Sequence, residues 1–356
     1  MKIVLNHADL EKINRLRTTC DNNYRLTQLY SRYLVNEPRL INRQMVEELT
    51  NGCGIDDEYA FKLLLSSALG LDTENSAADR KFEKDYLFPS IRKLDVKRYT
   101  NDPYYKNIKI DDVSYGSWKL KNEVYEPYQA FICDDIFPDE DFKELPILGF
   151  FSEKFVFPTV LENDNEWMTL SPVDLDTCVD AIELAKGKVV TFGLGLGYYT
   201  YRVSQKPEVE QITVVDKSED VIGMFEKYIL PQFPHREKVK IVHADAFEYA
   251  KKQMPRENFS LAFMDTWRDV SDGFDMYLRM KKLEYLNPNT HFMYWVEGMM
   301  LSHLRWLVFE EVWNEINSKS LGEGRFNMAV LSSYEQICEL LSKDSLRRLA
   351  ADLKKL

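Results

Sequence analysis

Four carboxylates follow directly on short apolar runs in the second half of the chain: Asp216 after Val214-Val215, Asp245 after Val242-His243-Ala244, Asp265 after Phe263-Met264, and Glu297 after Trp295-Val296. Apolar runs of this length, separated by helical periodicity, read as buried strands of a parallel sheet whose ends share one edge. Ahead of them stands Val189-Val190-Thr191-Phe192-Gly193-Leu194-Gly195-Leu196-Gly197. Glycines at alternate positions form a turn without side chains, where backbone N–H groups can approach a ligand, and the helix that follows begins with partial positive charge. Ligands of open α/β sheets bind at that edge, where the strand order reverses. There Asp216 can accept both hydroxyls of a ribose. Asp245 can accept from an adenine amino group while the Ala246 N–H faces a ring nitrogen. Asp265 stands where a reacting group would enter. Each acid also has a plainer use as the cap of the next helix, a use that weighs most for Asp245.

The elements that must position these groups follow in regular alternation. Strands are expected at Val189–Phe192, Gln211–Val215, Val239–Val242, Leu261–Met264 and His291–Val296, with helices between them. Ser171-Pro172-Val173-Asp174 is a helix start, with a capping serine, proline in the first turn and an acid at the third position. That helix should run to Ala185 and close at Lys186-Gly187. Met299–Ile316 reads as a helix. After Gly322-Glu323-Gly324, Phe326–Leu331 is a possible strand before two more helices.

The first half carries no constellation of reactive residues. Apolar residues recur at helical spacing from Asn6 to Leu34, a short helix from Arg43 stops near Asn51-Gly52, and Asp56 opens another. Helical pattern continues from Ala77 to Phe88, so residues 1–100 are expected to form a helical domain. From residue 101 to 170 aromatic and β-branched residues alternate with Asp, Pro and Gly, a β-rich segment. Its clearest part is a hairpin of Phe155–Leu161 and Glu166–Leu170 joined by Glu162-Asn163-Asp164-Asn165. Residues 171–320 then hold the sheet, and 321–356 the terminal helices.

Composition narrows the partners. The chain has 356 residues and a formal net charge of −12, the wrong sign for attracting nucleic acid or an anionic membrane. The five cysteines are scattered and the five histidines show neither HxH nor HExxH spacing, so reduced thiols in a cytoplasmic protein without a metal site are expected. No apolar segment is long enough to span a bilayer.

In its Ser171–Gly298 region the sequence resembles the class I S-adenosylmethionine-dependent methyltransferase family. The resemblance rests on TFGLGLG, VVDKS, HADAFEY and AFMDTW in that order. It implies a Rossmann-like, doubly wound, mostly parallel α/β sheet, with S-adenosylmethionine as cofactor and a small-molecule methyl acceptor. By the same resemblance Gly193, Gly195 and Gly197 pass under the methionine portion, Asp216 holds the ribose, Asp245 and Ala246 meet adenine, and Asp265 is the catalytic candidate beside the acceptor. Tyr198, Tyr199, Trp267 and Glu297 are subsidiary candidates, for each of which packing or capping is the plainer role. Two departures stand out. The acid usual two residues before the first glycine is replaced by Thr191, and the antiparallel pair that usually closes the sheet has no clear counterpart.

Three competing functions are left. The hairpin before the sheet is similar to that of aminopropyltransferases such as spermidine synthases, although LGLGYY and MDTWRD depart from their motifs. A dinucleotide dehydrogenase would need a small residue where Tyr198 stands. A non-catalytic nucleoside-binding scaffold is the reading that Thr191 favours.

Overall fold

The computed structural model describes residues 3–317 and 331–353. Its first helices start where side chains satisfy their free N–H groups. In α1 (His7–Asn36) the Asn6 side chain accepts from the Asp9 N–H, in α2 (Arg43–Cys53) Asn42 accepts from Met45, and in α3 (Asp57–Ala68) Asp56 accepts from Tyr59. The helix expected over 77–88 is α-helical only in α4 (Ala77–Phe82). It widens into a π turn over Glu83–Leu87 and tightens into a 3₁₀ turn at Phe88–Ser90, where Pro89 sits in the first turn. Strand β1 (Ile91–Leu94) follows, then two short helices, α5 (Val96–Thr100) and α6 (Pro103–Asn107), capped by Asp95 and Asp102. The first hundred residues are therefore not purely helical.

Six more strands make up the β-rich segment: β2 (Val113–Tyr115), β3 (Trp118–Tyr125), β4 (Phe131–Ile132), β5 (Leu148–Phe151), β6 (Phe155–Glu162) and β7 (Asn165–Thr169). Antiparallel pairing joins β2-β3-β6-β7, while β1 pairs parallel with β5, which also pairs with β4. In the β6–β7 hairpin the turn residues Asn163 and Asp164 have φ of 50° and 64°. A two-residue turn needs both centres left-handed to match strand twist, and Asn and Asp tolerate that conformation best after glycine.

The helix expected from Ser171 to Ala185 divides into α7 (Pro172–Thr177) and α8 (Val179–Leu184). Thr177 Oγ1 donates to the Val173 carbonyl at 2.6 Å, competing for an acceptor that the helix ladder would use. Strands and helices then alternate: β8 (Gly187–Phe192), α9 (Tyr198–Ser204), β9 (Val209–Asp216), α10 (Glu219–Met224), β10 (Val239–His243), α11 (Ala246–Lys252), β11 (Leu261–Met264), α12 (Val270–Lys281), β12 (His291–Tyr294) and α13 (Glu297–Ile316). All five strands run parallel in the order β10-β9-β8-β11-β12. The chain moves outward from β8 to β10 and returns to the other side of β8 at β11. The switch point thus lies between the carboxyl ends of β8 and β11.

The central strands β8, β9 and β11 are buried on both faces and largely apolar, whereas the edge strands β10 and β12 are partly exposed. Val189, Ile212, Val214 and Phe263 pack in one core, and Val190, Phe192, Ala262 and Met264 in another. Helix α1 takes part in two cores. Its Ile13 and Leu16 join the sheet's second core, whereas Leu26, Tyr30 and Tyr33 pack with Phe61 and Leu87. Strand β12 stops two residues earlier than expected, because Val296 turns left-handed at φ 46°. The final helices are α14 (Tyr334–Leu341) and α15 (Lys343–Asp352). The possible strand Phe326–Leu331 lies outside the described residues except for Leu331, which bridges Ile3 in parallel.

Two glycines give opposite expectations. Gly193 has φ 94°, and a Cβ there would lie 1.8 Å from the Asp265 carbonyl oxygen, so Gly193→Ala should cost about 3 kcal/mol or more in urea unfolding. Gly52 lies within α2 with open space where a Cβ would go, so Gly52→Ala should stabilise by up to about 1 kcal/mol.

Candidate active site at the carboxyl edge of the sheet

Gly193, Gly195 and Gly197 all have positive φ, at 94°, 49° and 72°. Each turns its bare face to a different neighbour: a Cβ would meet the Asp265 carbonyl at position 193, the Met168 sulfur at 2.0 Å at position 195, and the Phe225 ring at 2.3 Å at position 197. The turn is held from both sides. The Leu194 N–H donates to Asp216 Oδ2 at 3.0 Å, and the Tyr104 hydroxyl on α6 donates to the Leu196 carbonyl at 2.5 Å. Asp216 Oδ1 accepts from the Ser218 N–H at 2.8 Å. Asp216 therefore ties the end of β9 to the glycine turn. Its partly buried carboxyl is held above the usual carboxylate range by burial, against the pull of these N–H groups.

Asp245 Oδ1 accepts from the Phe247 and Glu248 N–H groups at 3.0 Å each, so this exposed acid does cap α11, which begins at Ala246. Its second oxygen has no partner among the described residues. Asp265 is partly buried beside a small cavity of about 20 Å³, which Asp174, Cys178, Thr191, Tyr198 and Met168 also line. That is room for about one water.

The cavity joins two carboxyl groups. Asp174 Oδ2 accepts from the Ser171 N–H and Oγ at 2.8 Å each and from Thr169 Oγ1 at 3.0 Å. Burial nevertheless pushes Asp174 up to about 6. Asp265 is pushed up to about 8 by burial and then by the Asp174 charge. At neutral pH Asp265 holds its proton while Asp174 is largely ionised, a division of labour suited to acid–base work. Sequence reasoning took Asp174 for a helix-capping residue only. The cap is real, yet the same carboxyl faces the cavity, and nothing in the spacing of Ser171 and Asp174 distinguishes the two uses. Thr191, on the strand that leads into the turn, is 2% exposed and lines the cavity without contributing charge.

The subsidiary candidates separate. Tyr198 lines the cavity and donates to Asp102 Oδ2 at 3.2 Å, in a cluster completed by the Arg202–Asp102 ion pair. Tyr199 also borders the cavity, with its ring packed on Phe263 at 4.4 Å. Trp267 and Glu297 are not among the cavity residues. Trp267 stacks on Tyr294, and Glu297 is bound by Arg347 and by the Tyr277 hydroxyl, both structural roles. Among the described residues there is no cluster of three or more His, Cys, Asp or Glu placed to hold a metal ion, and no helix is long and apolar enough to cross a membrane.

The donor set fits one half of an adenosyl sulfonium. Asp216 and the free oxygen of Asp245 suit a ribose and an adenine at the ends of β9 and β10. The amino-acid half does not fit as the chain stands, because Met168 lies against Gly195 and the space at Asp265 holds about one water. Met168 belongs to β7, an edge strand paired on one side only, and its side chain is unbranched and adaptable.

No protein-family model matches the chain, and no curated protein matches it. Solved structures that the chain matches in part include a precorrin 8w decarboxylase from Methanobacterium thermoautotrophicum, at 16% identity and TM-score 0.28, covering 36% of this chain and 64% of that one. Spermidine synthase from Thermotoga maritima has 16% identity and TM-score 0.31, covering 56% and 62%. A spermidine synthase in complex with the transition-state analogue AdoDATO has 16% identity and TM-score 0.32, covering 56% and 63%. The chain spans less than two thirds of each of these proteins.

The carboxyl pair has a consequence for stability. A carboxyl raised on folding stabilises fully below its ordinary value and loses that contribution as pH rises through the folded value, so for Asp265 the loss falls between 3.8 and about 8. The contribution of Asp265 itself should fall progressively across that window. Asp265→Asn, which cannot ionise, should melt like the parent at pH 4 and several degrees higher at pH 8, as followed by circular dichroism.

Proposed function

We propose that the chain is an S-adenosylmethionine-dependent transferase that moves a methyl group to a small-molecule acceptor. The observation that supports this reading most is Asp216. It ends the second strand, holds the glycine turn through the Leu194 N–H, and stands across the switch point from Asp265. In this reading Asp216 accepts the ribose hydroxyls, Asp245 and the Ala246 N–H meet adenine, and the amino-acid tail enters over Gly193 and Gly195 once Met168 swings aside. When bound, the sulfonium supplies the activated carbon. The chain's own tasks are to align the acceptor, to exclude water and to take up a proton. Asp265, which holds its proton at neutral pH, positions the acceptor by donating a hydrogen bond, and the ionised Asp174 beside it is the carboxylate that takes up the proton. The Met168 roof and the buried Tyr198 and Tyr199 keep the site dry.

A second reading, aminopropyl transfer, is favoured by the same carboxyl pair. The ionised Asp174 at the tail end of the site repels the carboxylate of an amino-acid tail and attracts a lone ammonium, which is what a decarboxylated donor carries.

Thermal melts with nucleosides separate these readings. S-adenosylhomocysteine at about 100 times its Kd should stabilise the protein by about 2.7 kcal/mol. Asp216→Asn should remove the shift, and Met168→Ala should enlarge it. A larger shift with methylthioadenosine than with S-adenosylhomocysteine would select aminopropyl transfer. No shift with either, together with one from NADH, would refute both.

A further inference from the structure

A second and much larger cavity, of about 490 Å³, lies between α1 and the first half of α13. Small-molecule sites typically occupy about 300–1,000 Å³. One helix presents Cys20, Tyr24 and Thr27 to it, and the other Met299, His303 and Trp306, all at helical spacing. These are not the residues of the glycine turn, and the site does not depend on the function proposed above.

The charges in this cavity are already matched. Glu144 is paired with Arg305 and accepts from Ser302 Oγ at 2.8 Å, and Arg305 Nε donates to the Leu341 carbonyl at 2.9 Å. Asn23 bridges the Phe142 carbonyl and the Glu144 N–H, at 2.9 and 3.1 Å. Burial pushes the Cys20 thiol up to about 12 and holds His303 below its ordinary value, so both are neutral at pH 7. A charged ligand would lose its hydration here without gaining a counter-ion, so a neutral one is preferred.

The surfaces left free are rings. Tyr24 and Trp306 lie nearly parallel, 14° apart with centroids at 6.4 Å, and are 54% and 40% exposed. Phe142 is held over the cavity by a backbone with φ 59°, a conformation that costs a non-glycine residue energy. His303 packs edge-on to Phe274 at 4.8 Å and makes no hydrogen bond among the described residues. Large rings and an exposed imidazole at the mouth of an apolar cavity match the usual anatomy of a ligand site.

We propose that this cavity binds an uncharged, planar, largely apolar molecule that carries a hydroxyl or carbonyl directed at His303. The test titrates the full-length protein with phenylnaphthylamine, an uncharged dye that fluoresces in apolar surroundings. A saturable rise is expected, and anilinonaphthalene sulfonate, its anionic analogue, should bind at least tenfold more weakly. Trp306→Ala, which removes a ring, and Thr27→Trp, which fills space from an exposed position, should each weaken the dye at least tenfold. Tyr285→Ala, at an exposed ring outside the cavity, should leave it unchanged. The proposal is overturned by a rise that does not saturate, by binding that survives both cavity substitutions, or by equal affinity for the sulfonate. It also fails if decanol displaces the dye as well as a planar competitor does, or if sedimentation shows that a second copy of the chain covers the cavity.

Discussion

At the centre of the molecule, β8 and β11 end so close together that the Gly193 Cα has only hydrogens to turn toward the Asp265 carbonyl. Any side chain there would have to occupy the space of that oxygen. This contact brings the glycine turn against the end of the fourth strand of the sheet, and it fixes where the turn can go next. From Gly193 the chain reaches Leu194, whose N–H finds Asp216, and then α9, whose tyrosines close the cavity at Asp265. The parallel sheet supplies the rigid edge, but the absent Cβ lets its strand ends converge on one small volume.

Burial gives that volume its chemistry. Asp174 and Asp265 face a space with room for about one water, and low polarity raises both carboxyls into the range where protons move near neutral pH. Three hydrogen bonds restrain Asp174 more than Asp265, so the two separate in affinity although their residue type is the same. The β6–β7 hairpin does the covering. Met168, on its edge strand, lies against the glycine turn and leaves no room for a side chain at position 195.

Helix α1 joins the sheet to the helical layer, with its first half in one core and its second half in another. Where it passes α13 the packing leaves the large apolar cavity instead of a filled seam. The buried Glu144–Arg305 pair secures the inner wall, and its self-neutralisation keeps the space free of net charge.

Much of the sheet was legible in the sequence, because strands buried on both faces must be apolar and the turns between them must be glycine, proline or capping residues. Val189–Phe192, Leu261–Met264, the Asn163-Asp164 turn and the helix caps at Asn6, Asp56 and Ser171 all follow from such local rules. Asp216 and Asp265 were found because strand ends on one edge are predictable from alternation alone. Other features depend on contacts between distant segments, which local pattern does not encode. The left-handed Val296 that ends β12 early and the strand β1, which forms by pairing with β5 more than fifty residues away, are of this kind. Asp174 was legible as a cap but not as the partner of Asp265, since a carboxyl's proton affinity depends on what covers it. The sequence by itself determined the sheet, the turn and the line of acids along its edge. Tertiary structure alone decided which acids share a cavity, that Trp267 and Glu297 serve packing and ion pairing, and that Met168 closes the turn, because each of these depends on the exclusion of water by side chains that meet only on folding.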